Sequence, residues 1–291
     1  MYFSRIRVRP DVRDLHLLIS GNGYGAHQMM WKLFPANGEG RTFLFREEVA
    51  REQIPFHKGV KGEPVFYAVS AAPPLADHPV FTVESKPYAP RLATGDRLAF
   101  RLRANPTIAR KADGKKNSVR HDVVMDSQRI LLHDLAQKLG LSAGGEKSAL
   151  KRKILTAWDQ SESVLLADDL RAIVEGGSYR EAAEQSLAPA LLLELALKTS
   201  IDMELQRWLT EKGTRNGFAL VRDEQKDRLK FQAEGYQWHA LPKKGKTAGF
   251  SSVDFEGELE VVDPDQLSEA LFCGLGSAKG FGCGLMLVRR V

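Results

Sequence analysis

The chain has 291 residues, 43% of them hydrophobic, enough to bury a core in one large domain or two ordinary ones. Its formal charge of +5 is a moderate basic excess that fits a polyanionic partner without requiring one. Two cysteines, Cys273 and Cys283, with no C-x-x-C pair and no His/Cys cluster at zinc-ligand spacing, argue against a disulfide framework and a structural zinc and for a cytoplasmic protein. MYFSRIRVRP lacks the apolar core of a signal peptide, and LAPALLLELAL at 187–197 falls short of the roughly 18 residues of a membrane span, so neither export nor membrane insertion is expected.

In chain order, Tyr2–Val8 alternates, with Ile6 and Val8 on one face and Arg5 and Arg7 on the other, which predicts a strand with one wet side. NGYGAHQMMWKLF at 22–34 predicts a glycine-broken turn and a short helix. Strands are expected at 42–49, 64–71 and 79–90, closing an α+β unit near residue 92. RLAFRLRANP from Arg97 then places Leu98, Phe100 and Leu102 on one face and shows Arg101 and Arg103 to solvent. The stretch from Arg97 to Arg120 is basic and contains ADGKKNS, which reads as a mobile loop. A helix follows from about Asp126 to Leu139.

Residues 142–212 turn helical in period, with breaks at Gly176-Gly177 and Pro189, and read as an insertion of several helices. Strands resume at 217–222, 229–239 and 250–262, the last with Val253, Phe255, Leu259 and Val261 on one face. DPDQLSEALFCG predicts a helix with Asp263 or Asp265 as its cap, and LMLVRRV a final strand. The order is βαββ twice. It predicts an α+β fold of two tandem ferredoxin-like (RRM-like) domains, 1–92 and 93–291, the second interrupted by the helices at 142–212.

Between the last helix and strand lies GLGSAKGFGCGL, with glycines at 274, 276, 280, 282 and 284. Its spacing and its helix-to-strand context differ from those of a dinucleotide fingerprint, and it lacks the G-K-[ST] of a P-loop. Glycines here let the backbone approach phosphates or another backbone closely, with Lys279 adding charge. A tight helix-to-strand connection is the plainer reading.

This glycine loop, VDFEGELEVVDPDQL before it, RLRANP at 101–106 and the opening MYFSRIRV followed by YGAHQMMWKLF together resemble the Cas6e family (also CasE or Cse3), repeat-processing endoribonucleases of type I-E CRISPR systems. Ser277 stands where the family's loop often has proline, and the helical segment is longer than in the family. The resemblance implies two ferredoxin-like, RRM-related domains that bind the CRISPR repeat hairpin in precursor RNA, cut at the 3′ base of its stem and stay with the crRNA and other Cascade subunits. It also implies a metal-independent cut by 2′-hydroxyl attack, leaving a 2′,3′-cyclic phosphate and a 5′-hydroxyl, with no small-molecule cofactor.

Such a reaction needs a base, an acid and a cation at the phosphate. Tyr24 and His27 are three apart and share a helix face that Trp31 and Phe34 continue inward. The resemblance assigns the pair to proton transfer. A histidine ordinarily titrates near 6.5 and suits either half, and a tyrosine near 10 suits the acid, an orienting donor or, only where cations depress its pKa, the base, which leaves the division between the two open. Lys246, in PKKGKTAGF at 242–250, matches a lysine of relatives and is assigned the transition state, while Lys243 and Lys244 are expected on the RNA backbone.

Lys32, turned away from the His27 face, is a phosphate contact or a solvated lysine. Arg101, Arg103 and Lys279 are further RNA candidates, as are the backbone N–H groups at Gly276, Gly280 and Gly282. Phe3, Trp31 and Trp238 could stack on bases, but core packing is the default for all three. Two rival readings are a noncatalytic repeat-RNA-binding subunit and a nucleotide-binding enzyme built on the glycine loop.

Overall fold

In the computed structural model, which describes residues 1–9, 24–34, 41–49, 64–111, 118–161, 164–185, 187–225, 227–241 and 248–291, the alternation of YFSRIRV becomes strand β1 (Tyr2–Val8). It buries Ser4, Ile6 and Val8 on one face. Helix α1 (Tyr24–Leu33) lays Met30 and Leu33 on the sheet that β1 shares with β2 (Phe43–Val49), β3 (Pro64–Ser70) and β4 (Phe81–Pro87). Phe34, just past the helix, stacks on Phe43 with centroids 4.4 Å apart. Phe45, Phe66 and Phe81 complete this core, each burial contributing about 1.5–3 kcal/mol.

The strands lie in the order β2-β3-β1-β4 with every pair antiparallel, the order of a ferredoxin-like unit. The second crossover of this unit, 71–80, contains no helix; it carries Pro73 and Pro74, which lack the N–H a helix interior needs.

The second sheet repeats the order. Strands β5 (Arg97–Ala104), β11 (Phe231–Ala240), β12 (Gly249–Val261) and β13 (Met286–Arg290) align as β11-β12-β5-β13, β8 (Phe218–Leu220) also pairs with β12, and β9 (Arg222–Asp223) and β10 (Arg228–Leu229) are strands of two residues. Leu98, Phe100, Leu102, Val253, Phe255, Leu259 and Val261 are buried, as their alternation predicts. The helix before β13 spans Pro264–Cys273. Asp263 is its cap, accepting from the amides of Asp265 and Gln266 at 3.0 Å each.

The two sheets belong to one compact unit, made of residues 1–105, 212–223 and 229–291. The junction expected near residue 92 falls in the link between β4 and β5. Within the unit, Leu44 and Val69 of the first sheet pack with Leu285, flanked by Phe3, Tyr67, Tyr88, Phe272 and Leu287.

The second unit, residues 106–211 with 224–228, is larger than the insertion expected at 142–212. It opens with a hairpin, β6 (Thr107–Lys111) and β7 (Ser118–Asp122); the basic loop expected at 112–118 lies outside the described residues except for Ser118, which opens β7. Helix α2 then spans Val123–Lys138, starting three residues before the expected Asp126 because Asp122 caps it, accepting from the Met125 amide at 2.8 Å. Leu131, Leu132 and Leu135 of α2 share one core with residues of α3 (Lys147–Ser161), α4 (Val164–Glu175) and α6 (Pro189–Arg215), including Ile154, Trp158, Leu170 and Leu193; short α5 (Arg180–Ala183) adds Ala183. That shared core is why the hairpin and α2 go with the helices rather than with the second sheet.

Candidate functional site

The first turns of α1 carry His27, which is half-buried. Its ring stacks on Phe281 with centroids 4.9 Å apart and meets the edge of Trp31 at 6.1 Å. Its Nδ1 is hydrogen-bonded to the Gly280 carbonyl. A carbonyl oxygen only accepts, so Nδ1 carries the hydrogen, and in the neutral ring Nε2 is the atom that can take up a proton. Gly280 and Phe281 belong to a short 3-10 turn, Lys279–Phe281, in the middle of the glycine loop. The loop of the second sheet therefore closes against the helix of the first, and the histidine is the contact.

Backbone geometry explains the loop's glycines. Gly284 has φ +94°, and a Cβ there would come within 2.9 Å of the Leu275 carbonyl. A Cβ on Gly274, φ +77°, would come within 2.8 Å of the Leu44 side chain. The loop is pinned by backbone bonds from Leu275 N–H to the Gly284 carbonyl, from Gly284 N–H to the Arg103 carbonyl and from Phe281 N–H to the Ala278 carbonyl. None of these three bonds uses the amides of Gly276, Gly280 or Gly282.

Two residues at the site carry no signal in sequence reading. Arg41, at the entry to β2, brings Nη1 within 3.2 Å of the point a Cβ on Gly280 would occupy, while the His27 ring lies 3.5 Å from the same point. It precedes the strand as a single arginine, and only the folded loop brings it to Gly280. His239, near the end of β11, stacks on Phe250 at 4.6 Å, and Phe250 meets Phe281 at 5.2 Å. A row of rings thus runs from Trp31 through His27, Phe281 and Phe250 to His239. His239 Nε2 and Ser252 Oγ are 2.8 Å apart. Burial, and then the nearby Arg103 charge, push the His239 pKa down. Its place opposite Phe250 follows from hairpin register, which the sequence alone leaves open.

The arginines of β5 are paired with acids. The strand does turn them away from its apolar face, but each opposes an acid on β12 in register: Arg97 faces Glu260, Arg101 faces Glu256 and Arg103 faces Asp254. The corresponding ion pairs are 3.8, 2.8 and 2.8 Å. Arg103 is only partly exposed, grips Asp254 through Nε and Nη2, and donates from Nη1 to the Glu47 carbonyl at 2.9 Å. Its charge-assisted bonds to Asp254 hold its pKa above the ordinary value although burial acts in the opposite direction. The outer face of β5 is an alternating lattice of charge, not a bare basic stripe.

Arg46 of β2, 3% exposed, also reaches Asp254, at 3.4 Å, and pairs with Glu48. Lys279 is half-buried and donates from Nζ to the Cys273 carbonyl at 2.8 Å, closing the end of the preceding helix; burial pushes its pKa down. Lys32 is exposed on the far flank of α1, where it and Arg9 reinforce the burial that lowers the His78 pKa.

Tyr24 opens α1, but its side chain lies outside what is described, as do Lys243, Lys244 and Lys246. Phe3 packs inward on Tyr67, and Trp31 sits edge-on to Phe43 at 5.5 Å. Trp238 departs from its expected core placement: it is 49% exposed on edge strand β11, beside exposed Tyr236. Cys283 is buried and its thiol is pushed up to about 12, the environment of an inert thiol. Among the described residues no three His, Cys, Asp or Glu side chains gather as a metal site, and no helix is long and apolar enough to cross a membrane.

The comparisons with known proteins agree with the resemblance seen in the motifs. The CRISPR-associated endoribonuclease Cse3 of Thermus thermophilus is 34% identical over 98 residues, which cover 32% of this chain and 46% of that protein. The match thus spans about half the length of that relative. The structure of T. thermophilus Cse3 bound to an RNA representing a pre-cleavage complex aligns with a TM-score of 0.57 at 20% identity, covering 99% of this chain and 98% of that one. The crystal structure of Cas6e from Escherichia coli K-12 aligns at 0.50 and 21%, covering all of both chains. These likenesses carry the fold. The family model described as CRISPR associated protein matches residues 1–290, and with the doubled ferredoxin order and the glycine loop in place, the chain belongs to that family.

Proposed function

We propose that this chain is a metal-independent endoribonuclease that binds a CRISPR repeat hairpin, cuts at the 3′ base of its stem, and remains with the crRNA among the other subunits of Cascade. The observation that supports it is the seat of His27. The Gly280 carbonyl fixes the ring and its tautomer, leaving Nε2 able to take the proton of the attacking 2′-hydroxyl. Any half-buried imidazole takes a partner for its N–H; the feature used here is that this bond puts the basic lone pair on Nε2. Oxygen 2′ then bonds to phosphorus, the bond to the 5′-oxygen breaks, and that oxygen takes a proton, giving a 2′,3′-cyclic phosphate and a 5′-hydroxyl. Tyr24, one helical turn before His27, is the proposed acid or orienting donor.

Lys246 is proposed as a cation at the phosphate, with Lys243, Lys244 and Lys32 on the RNA backbone. The amides of Gly276, Gly280 and Gly282 are proposed to face phosphate oxygens. Lys279 adds positive potential at the loop rather than a direct grip, because its ammonium is engaged with the Cys273 carbonyl. Arg101 and Arg103 are proposed as RNA contacts through donors that their pairs with Glu256 and Asp254 leave over, Arg101 being the more exposed of the two.

The test is cleavage of a repeat hairpin in excess EDTA. Wild type should cut, His27→Ala should cut roughly 100-fold or more slowly, and a 2′-deoxy nucleotide 5′ of the cut should stop cleavage while leaving binding intact. Dependence on a divalent cation, or an unchanged rate in the His27 variant, would remove this reading.

A further inference from the structure

We propose that Arg41 is a catalytic residue whose guanidinium grips a nonbridging oxygen of the scissile phosphate beside His27, an assignment that rests on the endoribonuclease reading above. Arg41 and His27 border one glycine from two sides. The position a Cβ would take on Gly280 is 3.2 Å from Arg41 Nη1 and 3.5 and 3.6 Å from His27 Cε1 and Nδ1. The guanidinium and the imidazole thus flank the same backbone atom, and with glycine at 280 no side chain comes between them.

The charge balance around Arg41 points the same way. Two other arginines of this unit are matched by acids, Arg46 by Glu48 and Asp254 and Arg103 by Asp254, and half-buried Arg9 donates to the His78 and Phe81 carbonyls. Among the described residues Arg41 has no such acid. It is half-buried, and burial lowers its pKa. A partly desolvated cation without a counter-charge is unfavourable in the free protein, and an arriving anion relieves it. Lys279, the other cation beside the loop, is held at the helix end by the Cys273 carbonyl.

A guanidinium presents parallel N–H donors that match two phosphate oxygens, and it stays protonated throughout the reaction. As His27 takes the 2′-hydroxyl proton and the new O–P bond forms, negative charge grows on the nonbridging oxygens, and Arg41 neutralises it there. The P–O5′ bond then breaks with protonation of O5′. Two nonbridging oxygens leave room for Lys246 on the other.

The test uses the full chain and repeat hairpins carrying a single phosphorothioate of either configuration at the cut, under single-turnover conditions at saturating protein. Arg41→Gln should slow cleavage of the all-oxygen hairpin about 100-fold or more, while its affinity for the 2′-deoxy hairpin changes less than about fivefold. Wild type should cut one phosphorothioate diastereomer selectively slowly, and the variant should lose that discrimination, which a purely structural role would not alter. Arg41→Lys, with charge but no fork, should fall between the two and serves where the glutamine variant melts early. Cleavage by Arg41→Gln within threefold of wild type, or an undiminished sulfur effect in either folded variant, overturns the assignment and leaves the endoribonuclease reading standing. Absence of cutting by wild type itself removes both.

Discussion

His239 reports on how the second sheet is assembled. Its imidazole lies flat on Phe250 and meets Ser252, and burial keeps it neutral more readily than a free histidine. His78, buried behind β4, is shifted in the same direction. As pH falls through about 6.5, an unfolded chain binds these protons first, so stability is full above that value and declines until the folded groups also protonate. The melting temperature should therefore drop between pH 7.5 and pH 5.5, and His239→Gln should show a smaller drop than wild type. Scanning calorimetry at the two pH values decides it; an equal drop would mean that His239 is not depressed. His27 stood out in the sequence through the family resemblance, helical spacing adding only that it shares a face with Tyr24 and Trp31. Arg41 and His239 did not, since each acquires its role only through a partner more than ten residues away or across a hairpin.

Among the elements, the glycine loop does most to join the two halves of the site. It must turn back on itself within van der Waals contact, and Gly284 is where this is tightest. Gly284→Ala forces an L side chain to φ +94° and against the Leu275 carbonyl, so a loss of about 1–3 kcal/mol is expected from denaturant midpoints. The distortion should carry to Gly280, and hairpin cleavage should fall further than stability alone accounts for. Retention of both would show that the loop reshapes freely. Periodicity made most strands and helices legible in advance, because burial on one face imposes the pattern being read. It was incomplete on β5. Alternation puts Arg101 and Arg103 on the polar face, but whether that face meets RNA or an opposing row of acids depends on which strand lies next to it. The acids Asp254, Glu256, Glu258 and Glu260 on β12 supply the answer only when paired in register.

For the molecule as a whole, Asp254 ties the two sheets together, taking Arg103 from β5 and Arg46 from β2. Asp254→Ala leaves the nearly fully buried Arg46 with Glu48 alone and Arg103 with only the Glu47 carbonyl. The expected loss is about 2 kcal/mol, below that of a fully enclosed pair because solvent reaches Asp254. Chemical denaturation of the single variant checks the figure, and a change under about 0.5 kcal/mol would make the clamp incidental. The doubled βαββ order was legible from element order alone. The extent of the helical unit was not, because membership of α2 in its core is decided by tertiary packing rather than by local period.

The long first crossover of the second sheet also sets a schedule. Strand β5 ends at Ala104, yet its neighbours β12 and β13 begin only at Gly249 and Met286. At ribosomal speeds that leaves β5 with both edges unpaired for roughly 7–30 s. The helical unit has its last segment by Arg228, whereas the unit holding the two sheets needs β13. During synthesis the helices are therefore complete first, and His27 gains its seat only once Gly280 and Phe281 have been made.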